Sequence, residues 1–248
     1  MTFATIALLF IAAFLAGAIN AIAGGGTFLT FGVLTLVGLP AVVANATSSI
    51  IQFPGYITST LAYLKEFGPL WKSALALAVV SAIGALLGAL FLISLSNPAF
   101  RAMVPWLLLA ATLVFAAGPW LKPKNTGARH AATPLGLVVQ TLTAFYGGFF
   151  GAGMGIMMLA SLGLATGGDY HRLNALKNFL SIVIAAIAII VFSTAGAVSW
   201  LHAAIMVPGA ALGGYAGVHL AKRLPQAILR WIVVAAGLGL SVYYFVTG

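Results

Sequence analysis

The chain has 248 residues, 62% of them apolar, and sets 11 Lys+Arg against 2 Asp+Glu, so that only 5% of its residues are charged. Soluble domains average about 25% charged residues, and no water-facing surface can be assembled from this inventory. That excludes a soluble enzyme, a disordered chain and a nucleic-acid-binding domain. The net charge of +9 is spread along the chain with no dense basic stripe. The absence of cysteine removes disulfides, thiolate metal sites and thiol nucleophiles. What remains is an all-α polytopic membrane protein.

A helix needs about 20 apolar residues to cross a hydrocarbon core roughly 30 Å thick. In chain order the full-length candidates are Phe3 to Ala23, Ala41 to Leu64, Leu70 to Leu95, Ala102 to Leu121, Leu135 to Ala152, Arg172 to Ala195, Ser199 to Ala221 and Gln226 to Val246. Two apolar stretches are shorter and begin at glycines, Thr27 to Val37 and Ile156 to Thr166. The first segment has neither a basic leader nor a small-residue cleavage site, and is read as a retained helix.

Charge decides how the short stretches are read. If both cross, the segments around Lys65/Lys72, Lys122/Lys124/Arg129, Arg172/Lys177 and Lys222/Arg223/Arg230 share one side and only Arg101 lies on the other. If both are re-entrant, the cations divide with no bias. Cytoplasmic loops are enriched in Lys and Arg, so the sequence predicts ten crossings with both termini outside.

Sliding the chain against itself by 129 positions aligns its halves without a gap: Gly24 and Gly26 fall on Gly153 and Gly155, Asn45 on Asn174, Trp71 on Trp200 and Arg101 on Arg230. Five crossings per half is an odd number, which turns the second half upside down. The predicted organisation is a first repeat over residues 1–121, a cytoplasmic linker over 122–134 and a second, inverted repeat over 135–248. Inverted repeats with short, glycine-started segments in matching places point to secondary transport with a site between the repeats.

Asn45, Ser48, Ser49 and Gln52 follow i, i+3, i+4, i+7 spacing and share one helix face; Asn174, Lys177, Asn178 and Ser181 repeat the pattern in the second half. Polar groups within a span face the bundle interior or an aqueous cavity. Helix–helix glue is the simpler reading of one such stripe; two at matching places, one holding a cation, make a binding site. Lys177 is the strongest single candidate, against the alternative that it snorkels to the interface. The Gly24-Gly25-Gly26 and Gly153-Met154-Gly155 turns each precede a short helix, whose N-terminus favours an anion. Gly84/Gly88 and Gly213/Gly217 have the spacing of close-packed membrane helices. Glu66 and Asp169 are the only carboxylates, and His130, His171, His202 and His219 are scattered, so no cofactor or metal site is expected.

The run Ala23-Gly24-Gly25-Gly26, followed by Ala44-Asn45-Ala46-Thr47-Ser48-Ser49, resembles the bacterial sulfite exporter (TauE/SafE) family of membrane permeases. Gly151-Ala152-Gly153-Met154-Gly155 and Asn174-Ala175-Leu176-Lys177-Asn178 repeat the likeness in the second half, where Met154 interrupts the family's fuller glycine run. The resemblance implies a multi-pass permease of the bacterial inner membrane that moves sulfite, organosulfonates and related anions, mostly outward. The expected partners are therefore a small anionic substrate and the lipid bilayer. An anion channel could be lined by the same residues. A membrane-embedded enzyme would need an Asp pair, a Ser/His pair or a His-rich helix, and none falls at workable spacing.

Overall fold

A computed structural model describes residues 1–22, 25–63, 71–117, 133–166, 170–220 and 226–247. Among these residues ten helices follow one another: α1 (Phe3–Ile22), α2 (Thr27–Leu36), α3 (Ala41–Ala62), α4 (Trp71–Ser94), α5 (Asn97–Ala116), α6 (Pro134–Phe149), α7 (Met154–Ala165), α8 (Tyr170–Thr194), α9 (Trp200–Leu220) and α10 (Gln226–Thr247). Each apolar run of the sequence, long or short, has become a helix. Capping moves two of the starts. α5 begins at Asn97 rather than Ala102, because the Ser96 hydroxyl accepts a bond from the Ala99 amide (3.3 Å) and Pro98 occupies the first turn, where its missing N–H costs nothing. α6 takes in Pro134 in the same way: Thr133 caps it by accepting from the Gly136 amide at 3.1 Å. The rest of the central linker lies outside the described residues.

Within the described residues four helices carry stretches long and apolar enough to cross a membrane: Phe3–Ala21 in α1, Ser73–Ser94 in α4, Asn97–Val114 in α5 and Arg172–Thr194 in α8. The distribution of polarity is that of a protein solvated by hydrocarbon. α4 exposes Leu75, Val79, Ile83, Leu86, Leu87 and Leu90, whereas Asn20, Gln52, Gln140, Asn174, Lys177 and Asn178 are all buried.

The packing fixes the directions of the helices. α1 and α9 run parallel, with Phe10, Phe14 and Ala18 lying against Gly209, Gly213 and Gly217; a Cβ on any of these glycines would run into the α1 backbone. α4 and α6 are parallel in the same manner, Gly84 meeting Thr141 and Gly88 meeting Phe145. These glycines let backbones touch, which in lipid replaces the hydrophobic effect as a source of helix association. α3 is also parallel to α9: the Ser199 amide donates to the Thr47 hydroxyl (3.0 Å), and further along Gly55 lies against Ala210. Since α1 and α3 both run with α9, α2 must return the chain to the end where α1 began.

α3 and α8 are antiparallel. Tyr63, just past the end of α3, bonds Asn174 near the start of α8, while Ser49 shares a cavity with Ala188 near the other ends. α5 and α10 are antiparallel too: the rings of Trp106 and Phe245 meet edge-on at 5.0 Å, and Thr112 abuts Gly237. Away from the centre, Gln140 of α6 donates to Ser81 of α4 (3.0 Å) and accepts from Ser161 of α7 (2.7 Å). Both ends of that carboxamide are used, and it acts as interhelical glue.

Candidate functional site

The two polar stripes lie on α3 and α8, which pack against each other antiparallel, so that Asn45 and Asn174 stand toward opposite ends of that contact. Asn45, Ser48 and Gln52 are buried and Ser49 is half-buried; Asn174, Lys177, Asn178 and Ser181 are buried as well. Lys177 is 1% exposed, among the largest fully enclosed side chains of the protein. Its ammonium donates to the backbone carbonyl of Asn20, 3.3 Å away. That carbonyl belongs to the last turn of α1, where backbone oxygens lack intrahelical donors and carry partial negative charge.

Asn20 is the hub of the site. Its carboxamide nitrogen donates to Gln52 Oε1 (2.8 Å) and to the Tyr56 hydroxyl (3.1 Å), and its Oδ1 accepts from the Gly26 amide (3.3 Å). Gln52 in turn donates to Thr30 (3.4 Å), which shares a hydrogen bond with Ser48. A continuous network thus links Lys177 of the second stripe to Gln52 and Ser48 of the first. Asn45 reaches the other way, its amide donating to the Phe149 carbonyl at 2.9 Å. Phe149 ends α6, and residues 20 and 149 differ by the 129 positions that separate the repeats in sequence. Each stripe therefore clasps the matching helix end of the opposite half. Asn20, Thr30 and Tyr56 were not singled out from sequence; the one available signal was a carboxamide near the end of an otherwise apolar span.

One side of the site has unused hydrogen-bonding capacity. Asn174 donates to the Tyr63 hydroxyl at 3.4 Å, but its Oδ1, and both polar atoms of Asn178, are buried without a partner among the described residues. A buried polar atom left unpaired costs about 1–3 kcal/mol. These atoms flank Lys177 on the same turns of α8.

The two glycine turns are built differently. Gly24 lies outside the described residues. Gly26 has an ordinary φ of −63°, and it is glycine because a Cβ would overlap the Ala16 carbonyl of α1. In the second turn Gly151 (φ +76°) and Gly153 (φ +75°) hold left-handed backbone, Gly153 capping α7. Gly25, Met154 and Gly155 are buried beside these positions, the Met154 sulfur against Gly147. Thr27 donates to the Gly151 carbonyl at 3.2 Å, so the turns abut. Between them is a cavity of about 20 Å³ lined by Thr27, Ser49, Tyr56, Gly151, Met154 and Ile184. This cavity has room for one water and is too small for a polyatomic anion.

No group of three His, Asp or Glu side chains among the described residues could hold a metal. Glu66, Asp169, His130 and His171 lie outside the described residues or have undescribed side chains. His202 pairs with Ser199 at 2.7 Å at the start of α9.

The family described as Sulfite exporter TauE/SafE matches residues 9–244. The chain belongs to the sulfite exporter TauE/SafE family. It is similar to "Probable membrane transporter protein ORF9" of Sinorhizobium sp, with 30% identity over 98% of this chain and 93% of that protein. A "Probable membrane transporter protein" of Haemophilus influenzae is 27% identical over 92% of this chain and 90% of its own length. "Probable membrane transporter protein YfcA" of Escherichia coli K12 is 26% identical over 91% and 84%. TauE/SafE membership and these relatives make the chain a membrane transporter; the family match spans both stripes and both turns.

Proposed function

We propose that this transporter exports small sulfur-containing anions, such as sulfite or organosulfonates, across the bacterial inner membrane by alternating access between two inverted repeats. The observation that carries the reading is Lys177: an enclosed ammonium held only by a backbone carbonyl among the described residues, next to the unpaired polar atoms of Asn174 and Asn178. A buried charge without a counter-charge costs several kcal/mol, and a bound anion supplies that counter-charge. The anion takes the ammonium from the Asn20 carbonyl and a donor from the Asn178 amide. Loss of that one hydrogen bond frees the end of α1 from α8, which couples occupancy to movement of one half against the other.

Helix directions support the inverted repeat. The matching pairs α3/α8 and α5/α10 are antiparallel, and α1 on α9 is repeated by α6 on α4. In this topology α2 and α7 complete ten crossings, the termini are outside and the 122–134 linker is cytoplasmic. No described helix carries a carboxylate, so export draws on the membrane potential: 100 mV, negative inside, favours outward movement of each negative charge by about 2.3 kcal/mol. A thermal-shift panel of sulfite, sulfate, sulfonates and carboxylates on detergent-purified protein tests the substrate class. A sulfur oxyanion should raise the melting temperature by mass action, and a rise with carboxylates alone would overturn it.

A further inference from the structure

Where α2 turns into α3, at one end of the bundle, lies a pocket of about 480 Å³ whose lining includes Thr35, Leu39, Asn97, Arg101, Tyr243 and Tyr244. Its volume is that of a small-molecule site, which typically spans about 300–1,000 Å³. We propose that this pocket is a second anion site, an outer station that receives the exported anion from the centre; the proposal rests on the export reading above. Arg101 is the one cation that the charge distribution assigns to this face, and Arg101, Asn97, Tyr243 and Tyr244 line one concavity with no Asp or Glu among its described lining residues. Asn97 is held at the rim because its Oδ1 accepts from the Val42 amide at 3.1 Å. Leu39, Pro40 and Pro98 give the pocket an apolar wall, which suits the carbon part of an organosulfonate.

Two further observations tie the pocket to transport. The repeat offset places Gln226 and Arg230 on α10 at the register that Asn97 and Arg101 hold on α5, so each half opens its last helix with a carboxamide followed four residues later by arginine. The pocket is also separated from the centre by a short aromatic partition. Tyr244 stacks on Phe31 (6.0 Å), Phe31 meets Phe150 edge-on (5.5 Å), and Phe150 adjoins Gly151 in the wall of the central cavity.

The test is sulfite titration of the full chain in phosphatidylcholine nanodiscs, at low and high ionic strength. The wild type should show two binding events, the weaker one salt-sensitive. Arg101→Gln, at an exposed position, should weaken that event about tenfold or more, Arg101→Lys should keep it, and Lys177→Ala should remove the other. Two unaltered events in Arg101→Gln overturn the proposal. So does an Arg101-dependent event abolished by adding phosphatidylglycerol, which assigns the pocket to lipid headgroups. A single event lost only in Lys177→Ala overturns the outer site and leaves the central one standing; a single event lost only in Arg101→Gln does the reverse. No binding at all overturns both.

Discussion

Lys177 of α8 and Asn20 of α1 are joined by a hydrogen bond from ammonium to backbone carbonyl across 3.3 Å, linking two halves of the chain that lie far apart in sequence. The bond satisfies one of three ammonium protons and supplies only the partial charge of a helix end, not a counter-ion. Lys177→Ala should therefore weaken anion binding at least about tenfold, the equivalent of 1.4 kcal/mol, whereas Lys177→Arg keeps the charge with altered geometry and should retain partial transport. Equilibrium binding and flux on the same folded preparations check both.

The same lysine sets stability against function. Replacing a buried charge by an apolar side chain of similar length is often neutral or stabilising. Lys177→Met should melt at or above the wild-type temperature without anion, and should lose the rise in melting temperature that sulfite gives the wild type. A large fall in the anion-free melting temperature would mean that the ammonium is a structural tie.

Asn20→Ala strands Gln52, Tyr56 and the Gly26 amide at once. With about 1–3 kcal/mol for each buried group left unpaired, it should destabilise the protein by about 2 kcal/mol or more. Denaturant or thermal unfolding in detergent reads this directly. A near-neutral result would show that the network is not under the constraint its geometry implies.

The legible and illegible parts of this molecule divide along physical lines. Apolar runs marked all ten helices because lipid demands apolar outer faces, and the 129-position offset marked the matching stripes because Asn45 and Asn174 recur in register. The starts of α5 and α6 were displaced because Ser96 and Thr133, not the hydropathy, decide where the first turn forms. Asn20 escaped because it belongs to no stripe, and its mate at position 149 is a phenylalanine that contributes only a carbonyl. The glycines of the two turns looked alike in sequence, yet Gly26 is there for space and Gly153 for its backbone angle.

Glycine substitutions can separate contact from conformation. Gly213→Ala drives a methyl group into the Phe14 carbonyl and should cost about 1–3 kcal/mol, the range for overpacking. Gly239→Ala, in the same protein, meets nothing within 4 Å and should be neutral or stabilise α10 by up to about 1 kcal/mol. Melting temperatures of the pair decide it, and equal losses at the two positions would contradict the packing described.

The native chain has no cysteine, so single labels report topology cleanly. Cysteines at Thr2 and Pro40 should both react with an impermeant maleimide from outside, and one at Asn125 only from inside. Thr2 and Pro40 reacting from opposite sides would mean that α2 does not carry the chain back across the membrane.

The central claim is that an anion crosses through the Lys177 site under the pull of the membrane potential. Sulfite flux from protein reconstituted in potassium-loaded vesicles, with valinomycin setting the potential, measures it most directly. Efflux should saturate, rise when the interior is made negative, and vanish in Lys177→Ala. Efflux indifferent to the imposed potential, or a folded Lys177→Ala protein that transports at the wild-type rate, would contradict the account.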